Sequence, residues 1–124
     1  MEKRLSRGKI SRILPSFFRR KIKNFIFHDL RLTNHIGSFQ IDILILTPSY
    51  FLILEVKNLS GKITIDPRHQ QMTRLNTLGQ LDVFPDPLSQ VRRQKTQLEL
   101  WLTAQKITGI PIKTLLVMAN PKAN

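Results

Sequence analysis

The chain has 124 residues, 41% of them hydrophobic, which is enough for one domain but not for two. It contains no cysteine, which excludes a disulfide framework and a thiolate metal site and fits a reducing compartment. No stretch reaches the roughly 18 apolar residues of a membrane span, and no apolar segment of a secretory signal follows the basic N-terminus. We therefore expect a cytoplasmic domain without a membrane span.

The charge balance is strongly basic. Twenty Lys and Arg residues against eight Asp and Glu residues give a net charge of +12, and ten of the twenty lie in residues 1–31. Such a field attracts a polyanion, of which nucleic acid is the commonest. Two alternatives remain open: a membrane surface, because Phe and Ile residues interleave with the cations of residues 17–27, and a surface that only aids solubility.

The N-terminal part of the chain separates from the rest by its charge. Residues 5–14 have near-helical apolar spacing and end at Pro15, and a basic connector covers residues 16–24. Residues 1–24 are therefore predicted as a basic helix and connector, and residues 25–124 as the core of a single domain. The core opens with a strand at about 25–30 and a loop over 31–38.

A β-hairpin is predicted next, and it carries the most informative residues. Residues 39–46 and 51–56 are aliphatic and β-branched, with Thr47-Pro48-Ser49-Tyr50 between them as the turn. Pairing Leu46 with Phe51 sets Asp42 opposite Glu55. Cβ atoms in such a pair lie about 4.5–5.5 Å apart, and like charges there are destabilising. The two carboxylates need a shared proton or a divalent cation.

Lys57 lies two residues beyond Glu55, so strand alternation points both side chains to the same face. Two carboxylates with an adjacent ammonium suit metal-assisted phosphodiester hydrolysis, in which a hard cation polarises the phosphate and Lys stabilises developing charge. The alternative is a solvated hairpin with Lys57 as a cross-strand partner. Apolar residues on both faces of both strands argue against it, because an unpaired charge there costs several kcal/mol.

The remaining elements predict an α/β fold with a mixed sheet. Strands are expected at 62–66 and 70–75, a loop at 76–88, a helix at 90–106 capped by Ser89, and a strand at 112–118. The last strand follows a helix and is expected to pair in parallel through a right-handed crossover. Val91, Leu98 and Leu102 form the apolar stripe of the helix.

A second stripe of the same helix contains Gln90, Gln94, Gln97 and Trp101. Its amides either mark the amphipathic boundary or point toward Asp42 and Glu55, where they suit a phosphate or a metal-bound water. Trp101 is interpreted as a core residue rather than a base-stacking platform. Asn58 is interpreted equally as a turn residue or a site residue. The three histidines lack ligand spacing, so zinc is not expected.

Together these residues resemble the PD-(D/E)XK nuclease superfamily, the restriction-endonuclease-like fold, and most closely its bacterial nuclease-related domain, NERD. The order and spacing match over roughly residues 25–120. The matching segments are His28-Asp29-Leu30-Arg31-Leu32, Phe39-Gln40-Ile41-Asp42, Leu54-Glu55-Val56-Lys57-Asn58 with Gly61, Phe84-Pro85-Asp86-Pro87, and Ser89-Gln90-Val91-Arg92-Arg93-Gln94.

The resemblance implies a mixed sheet flanked by helices, dependence on Mg²⁺ with Mn²⁺ as a substitute, and a role in DNA processing. It implies Asp42 and Glu55 as metal ligands, Lys57 as the catalytic lysine, and Gln90 as the helix glutamine near the site. We expect the backbone carbonyl of Val56 to be a further metal ligand. Gln40, Asn58, Gln94 and Glu2 complete the candidate set as supporting residues.

The chain departs from the family pattern at both ends. The first helix of the family usually opens with Gly-Glu, whereas Glu2 is the only acid of residues 1–14 and lies about two residues from the matching place. Relatives usually continue past the last strand, so we expect a C-terminally truncated fold with an exposed sheet edge.

Two functions follow from these observations. The first is a Mg²⁺-dependent endonuclease-like domain acting on DNA, and the second is a non-catalytic, basic nucleic-acid-binding module with the same fold. In either case phosphate contacts are expected from the cluster Arg19, Arg20, Lys21 and Lys23, or from Arg92 and Arg93 on the helix.

Overall fold

The computed structural model describes Ile10, Leu14 and residues 24–119. Residues 24–119 form an α/β fold of two sheets and a long helix. The elements in chain order are β1 (Phe25–Thr33), β2 (Ser38–Leu46), β3 (Phe51–Asn58), β4 (Lys62–Asp66), β5 (Gln71–Leu75), β6 (Leu81–Pro85), α1 (Pro87–Ala104) and β7 (Ile112–Ala119).

The larger sheet has four strands in the order β1-β2-β3-β7. The β1–β2 and β2–β3 pairs are antiparallel, whereas β3 and β7 are parallel, with Phe51 beside Ile112 and Asn58 beside Ala119. A parallel pair requires a crossover connection, and α1 lies in the connection between β3 and β7. The predicted mixed sheet and the parallel last strand are therefore confirmed, and β7 lies at an edge of this sheet.

The turn between β2 and β3 is held by Thr47. Its amide and hydroxyl both donate to the carbonyl of Tyr50, at 2.9 and 2.7 Å, and the hydroxyl accepts a hydrogen bond from the Tyr50 amide at 3.0 Å. This closure pairs Leu46 with Phe51, which is the register predicted from the sequence. The register matters because it decides which residues of the two strands face each other further along.

The hydrophobic core lies between the larger sheet and α1. On the sheet it contains Leu44, Leu46, Phe51 and Ile53, and on the helix it contains the predicted stripe of Val91, Leu98 and Leu102 together with Trp101. Ile10 and Leu14, from the predicted N-terminal helix, are helical and buried in the same core. The assignment of Trp101 to the core is confirmed.

Strands β4, β5 and β6 form a separate antiparallel sheet, which we call the wing. The chain enters the wing at Gly61, where φ is +97° and a Cβ atom would lie 2.6 Å from the carbonyl oxygen of Leu75. A side chain is therefore excluded at this position both by the backbone conformation and by the close approach of β5. Glycine allows the chain to turn directly from β3 into the wing.

Two expectations about the region before α1 are wrong. Residues 76–88 were expected to form a loop, but residues 81–85 form β6, which pairs along β5 from Leu75–Leu81 to Gln71–Pro85. The helix begins at Pro87 rather than residue 90, and its N-cap is Asp86 rather than Ser89. The buried Asp86 carboxylate accepts hydrogen bonds from the Leu88 amide at 3.0 Å and the Ser89 hydroxyl at 3.2 Å. Proline fits the first helical position because its missing N–H needs no partner there.

Candidate functional site

Asp42 and Glu55 lie at the point where β2 and β3 separate. The β2–β3 ladder runs from Leu46–Phe51 to Ile43–Leu54, so the next pair outward is Asp42 and Glu55. Beyond this point β3 continues beside β7 alone as far as Asn58. The two carboxylates therefore face each other across the mouth of a fork between two strands.

The pairing of β1 with β2 is also interrupted at Asp42. The ladder passes from His28–Ile43 to Leu30–Ile41 and omits the pair between them, Asp29 and Asp42. Asp29 has a φ of +52°, which is uncommon for a residue other than glycine and costs free energy. Such strain is frequently found at functional sites.

The carboxylate of Glu55 is buried without a hydrogen-bond donor among the described residues. Its side chain is 1% exposed, and neither carboxylate oxygen accepts a hydrogen bond from the described part of the chain. Burial, followed by the neighbouring Asp42 carboxyl, raises the pKa of Glu55 from 4.5 to about 7, although the positive charge of Lys57 acts in the opposite direction. Without a cation, the pair is thus most stable when it holds a proton.

Lys57 lies on the same strand face as Glu55, as alternation along β3 requires. It lines a cleft of about 530 Å³ together with Gln90 and Arg93 of α1. Three residues that the sequence singled out are thereby brought together at one place, beside the carboxylate pair. Val56 lies between Glu55 and Lys57, and its side chain is 41% exposed on the opposite face.

Gln94 and Gln40 form a structural contact at the edge of the site. Gln94 is 7% exposed, and its side-chain amide donates to the backbone carbonyl of Gln40 at 3.0 Å, which joins α1 to β2. The side-chain oxygen of Gln40 accepts a hydrogen bond from Arg31 at 3.1 Å. The Gln94 carbonyl oxygen has no hydrogen-bond partner within residues 24–119.

The other candidate residues are distributed as follows. Arg92 and Arg93 are exposed on the first turns of α1, and Asn58 is exposed at the end of β3. Glu2, Arg19, Arg20, Lys21 and Lys23 lie outside the described residues. The phosphate-binding interpretation of the N-terminal cluster therefore stays a prediction.

The apolar wall of the cleft was missed by sequence reasoning. Met72 of β5 and Phe84 and Pro85 of β6 line it opposite the polar residues. The Arg74 guanidinium lies 5.3 Å from the centroid of the Phe84 ring, and it donates two hydrogen bonds to Asp82, at 2.8 and 3.2 Å. The available signal was the Leu-Asp-Val-Phe alternation of residues 81–84, which was too short to predict a strand.

The donor set fits a divalent cation of the Mg²⁺ type. Oxygen ligands are the ones that Mg²⁺ prefers, and the unpartnered oxygens of Glu55 require a positive group. Asp42, exposed on the opposite strand, adds a second carboxylate. Within the described residues, however, no three acidic or histidine side chains converge on a common point. Two carboxylates with water would suffice, because Mg²⁺ usually keeps several of its waters.

Comparison with known proteins supplies a family. The family model of the nuclease-related domain, NERD, matches residues 7–119, which is most of the chain. Comparison with curated proteins and with solved structures finds no match. No helix within the described residues is long and apolar enough to cross a membrane.

Proposed function

Because the chain belongs to the nuclease-related domain family, we propose that it is a metal-dependent nuclease that hydrolyses DNA phosphodiester bonds at Asp42, Glu55 and Lys57. The observation that carries the proposal is the buried Glu55, whose two oxygens find no hydrogen-bond donor among residues 24–119 and face Asp42 across the fork between β2 and β3. Because the negative charge of a buried carboxylate needs a partner, the pair of Asp42 and Glu55 is stable only with a bound proton or a bound cation.

Asp42 and Glu55 would hold Mg²⁺ or Mn²⁺, with the Val56 carbonyl as a further ligand. When bound, the cation would polarise the phosphate and favour ionisation of water. Lys57 would stabilise the negative charge that accumulates on the phosphate oxygens as water attacks, because its ammonium lies on the same face as Glu55. Gln90, which lines the same cleft as Lys57, would donate its side-chain amide to a phosphate oxygen.

The test is hydrolysis of plasmid and single-stranded DNA in Mg²⁺ or Mn²⁺ by the wild type, Asp42→Asn and Lys57→Ala. We expect both variants to lose activity by roughly 100-fold or more, the typical cost of removing an electrostatic stabiliser. Lys113→Ala is the matched control, since Lys113 is exposed on the neighbouring strand and lies 4.6 Å from the Tyr50 ring. Equal residual nicking in all four proteins would contradict the proposal.

The second candidate is a nucleic-acid-binding module without catalysis. It is favoured by one observation, that only two acidic side chains meet at the site within the described residues. This module would bind DNA with an affinity that falls steeply with salt and that is unchanged by EDTA or by Lys57→Ala. Calorimetry separates the two functions, because a nuclease of this type gives heat and a thermal shift with Mn²⁺, both lost in Asp42→Asn.

A further inference from the structure

The cleft beside the carboxylate pair has two chemically different walls. The core side supplies two cations and one amide donor: Lys57 from β3, and Gln90 and Arg93, about one turn apart, from α1. The wing side is apolar and consists of Met72, Phe84 and Pro85. A ligand that fills this space needs an anionic part and an apolar part in the same small group.

The size of the cleft restricts that ligand further. A volume of about 530 Å³ lies in the range of sites that enclose a single small molecule or nucleotide, about 300–1,000 Å³. A base within a duplex is paired and stacked on both faces, so it cannot place a face against the wing. An unpaired base can, because its ring face is free to stack on an aromatic side chain.

Phe84 is held as a rigid surface for such a contact. Met72 and Phe84 are cross-strand neighbours of β5 and β6, and the Arg74 guanidinium covers one part of the Phe84 ring. Arg74 is in turn fixed by Asp82, at 2.8 Å. The ring orientation is therefore set before a ligand arrives, which lowers the entropy lost on binding.

The charges of the cleft favour a phosphate at its core side. Within residues 24–119 neither Lys57 nor Arg93 forms an ion pair with a carboxylate shorter than 4.0 Å, since the ion pairs there are His69–Asp66 and Arg74–Asp82. The net charge of the chain, +12, favours polyanions over apolar peptides as occupants. A nucleotide combines the two required parts, a phosphate and a flat apolar ring.

We infer that the cleft binds an unpaired nucleotide, with its base against Met72, Phe84 and Pro85 and its phosphate between Lys57 and Arg93. The inference deepens the proposed function and rests on it in naming the substrate: a single-stranded or locally unpaired nucleic acid rather than an intact duplex. The wing selects a single nucleic-acid strand over a duplex. The carboxylates of Asp42 and Glu55 lie next to the phosphate that the wing positions.

The experiment measures binding in EDTA, so that hydrolysis plays no part. A single-stranded oligonucleotide containing the fluorescent base 2-aminopurine is titrated with the wild type, Phe84→Leu and Phe84→Trp, and the matched duplex is titrated in parallel. Leu keeps apolar volume without a ring face, whereas Trp restores one. The control is Val83→Ala, the preceding residue, which is 57% exposed on the opposite face of β6.

We expect Phe84→Leu to weaken single-strand binding about tenfold and to abolish the quenching of 2-aminopurine, because stacking on an aromatic ring is lost. Phe84→Trp and Val83→Ala should bind like the wild type, and duplex binding should be equal in all four proteins. Arg93→Gln should lower the salt slope of single-strand binding by about 0.7. Thermal unfolding of each variant verifies that it is folded.

Unchanged single-strand binding by Phe84→Leu, or equal weakening of single-strand and duplex binding, would overturn the inference. These results do not depend on catalysis. Normal stacking without any hydrolysis in Mg²⁺ would refute the nuclease and leave the nucleotide site standing. Hydrolysis of DNA that is indifferent to Phe84 would refute the nucleotide site and leave the nuclease standing.

Discussion

At the scale of single residues, Glu55 has the least favourable position in the described chain. Its carboxyl group is 1% exposed and has no hydrogen-bond donor in the part of the chain that the structure describes, so its ionisation destabilises the fold. Natural proteins retain such groups at sites where a partner arrives later, because the same strain that weakens the free protein strengthens binding of that partner. The pKa of Glu55 makes this strain measurable.

We expect the metal-free protein to lose stability as the pH rises from about 4.5 to 7. The pKa of Glu55 is raised from 4.5 to about 7, so the folded protein binds more protons than the unfolded chain within this window. The stability present below pH 4.5 should fall by up to about 3 kcal/mol across it. The measurement is the free energy of unfolding in urea with EDTA, at several pH values.

Glu55→Gln removes the titrating group and provides the control. The free energy of unfolding of Glu55→Gln should change less between pH 4.5 and 7 than that of the wild type. The difference should equal the fall of up to about 3 kcal/mol that Glu55 causes in the wild type. Mn²⁺ should stabilise the wild type most at pH 7 and above, where the ionised carboxylates are available, and should leave Glu55→Gln nearly unaffected. Parallel pH profiles of the two proteins would contradict the raised pKa.

At the scale of elements, the wing depends on its entry point. Gly61 combines a φ of +97° with the close approach of the Leu75 carbonyl, whereas Gly79, in the β5–β6 turn, has a φ of +77° and open space around it. Substituting each glycine by alanine therefore distinguishes the cost of the backbone conformation, which both positions share, from the cost of the steric contact, which only Gly61 has. The two substitutions allow the docking of β4 on β5 to be tested without touching any residue of the cleft.

We expect Gly61→Ala to destabilise the protein at least twice as much as Gly79→Ala. Both substitutions force alanine into a left-handed conformation, at a cost of roughly 1–2 kcal/mol. Gly61→Ala also places a Cβ 2.6 Å from the Leu75 oxygen, so β4 or β5 must shift. Urea denaturation gives the two values, and hydrogen exchange should show the extra loss of protection in β4 and β5. Equal destabilisation by the two alanines would show that the contact is relieved without cost.

Short-range patterns explain which elements could be predicted. The hairpin register was predictable because two long aliphatic runs flank a four-residue turn and one residue of slippage would reverse every side chain. Strand β6 was not predictable, because Leu81 to Pro85 lies between Gly79 and a helix that begins at a proline. Asp86 was overlooked as the N-cap for the same reason: Asp-Pro is also typical of turns.

The same distinction applies to the candidate site. The placement of Asp42 opposite Glu55, with Lys57 on the Glu55 face, follows from counting along two neighbouring strands, and the structure has this arrangement. The apolar wall of Met72, Phe84 and Pro85 belongs to the site only because the wing lines the same cleft as the end of β3. This arrangement depends on residues that are distant in sequence, and no local sequence pattern predicts it. The hydrogen bond from Gln94 to the Gln40 backbone is of the same long-range kind.

At the scale of the whole molecule, charge is distributed unevenly. Most of the net charge of +12 belongs to residues 1–23. Among the cations of the described residues, Arg92 and Arg93 are exposed on α1, and Arg93 lines the cleft together with Lys57. Long-range attraction of DNA is therefore expected mainly from the N-terminal segment, and positioning of the strand from the cleft.

We expect the neutralisation of Arg19, Arg20, Lys21 and Lys23 together to reduce the salt slope of duplex binding by up to about 3–4 units, if all four contact phosphates. Metal binding at Asp42 and Glu55 should be unchanged, as measured by calorimetry with Mn²⁺. The control is Arg92→Gln with Arg93→Gln, which removes two cations of α1. An unchanged slope in the quadruple variant and a reduced slope in this control would place DNA along the helix.

The two connections of the wing to the rest of the domain lie at opposite ends of its strands, since β4 begins beside Leu75 and β6 ends beside Gln71. The chain enters through residues 59–61 after β3 and returns through Asp86 into α1, where the Asp86 amide also donates to the Gln70 carbonyl at 3.0 Å. The apolar wall of the cleft belongs to the wing, whereas Asp42 and Glu55 belong to the larger sheet. A displacement of the wing would therefore alter the width of the cleft and leave the distance between the two carboxylates unchanged. Under the proposed function, substrate choice and bond cleavage would be separately adjustable. Substitutions in β5 and β6 would change what the protein accepts, while the chemistry at β2 and β3 would be inherited intact.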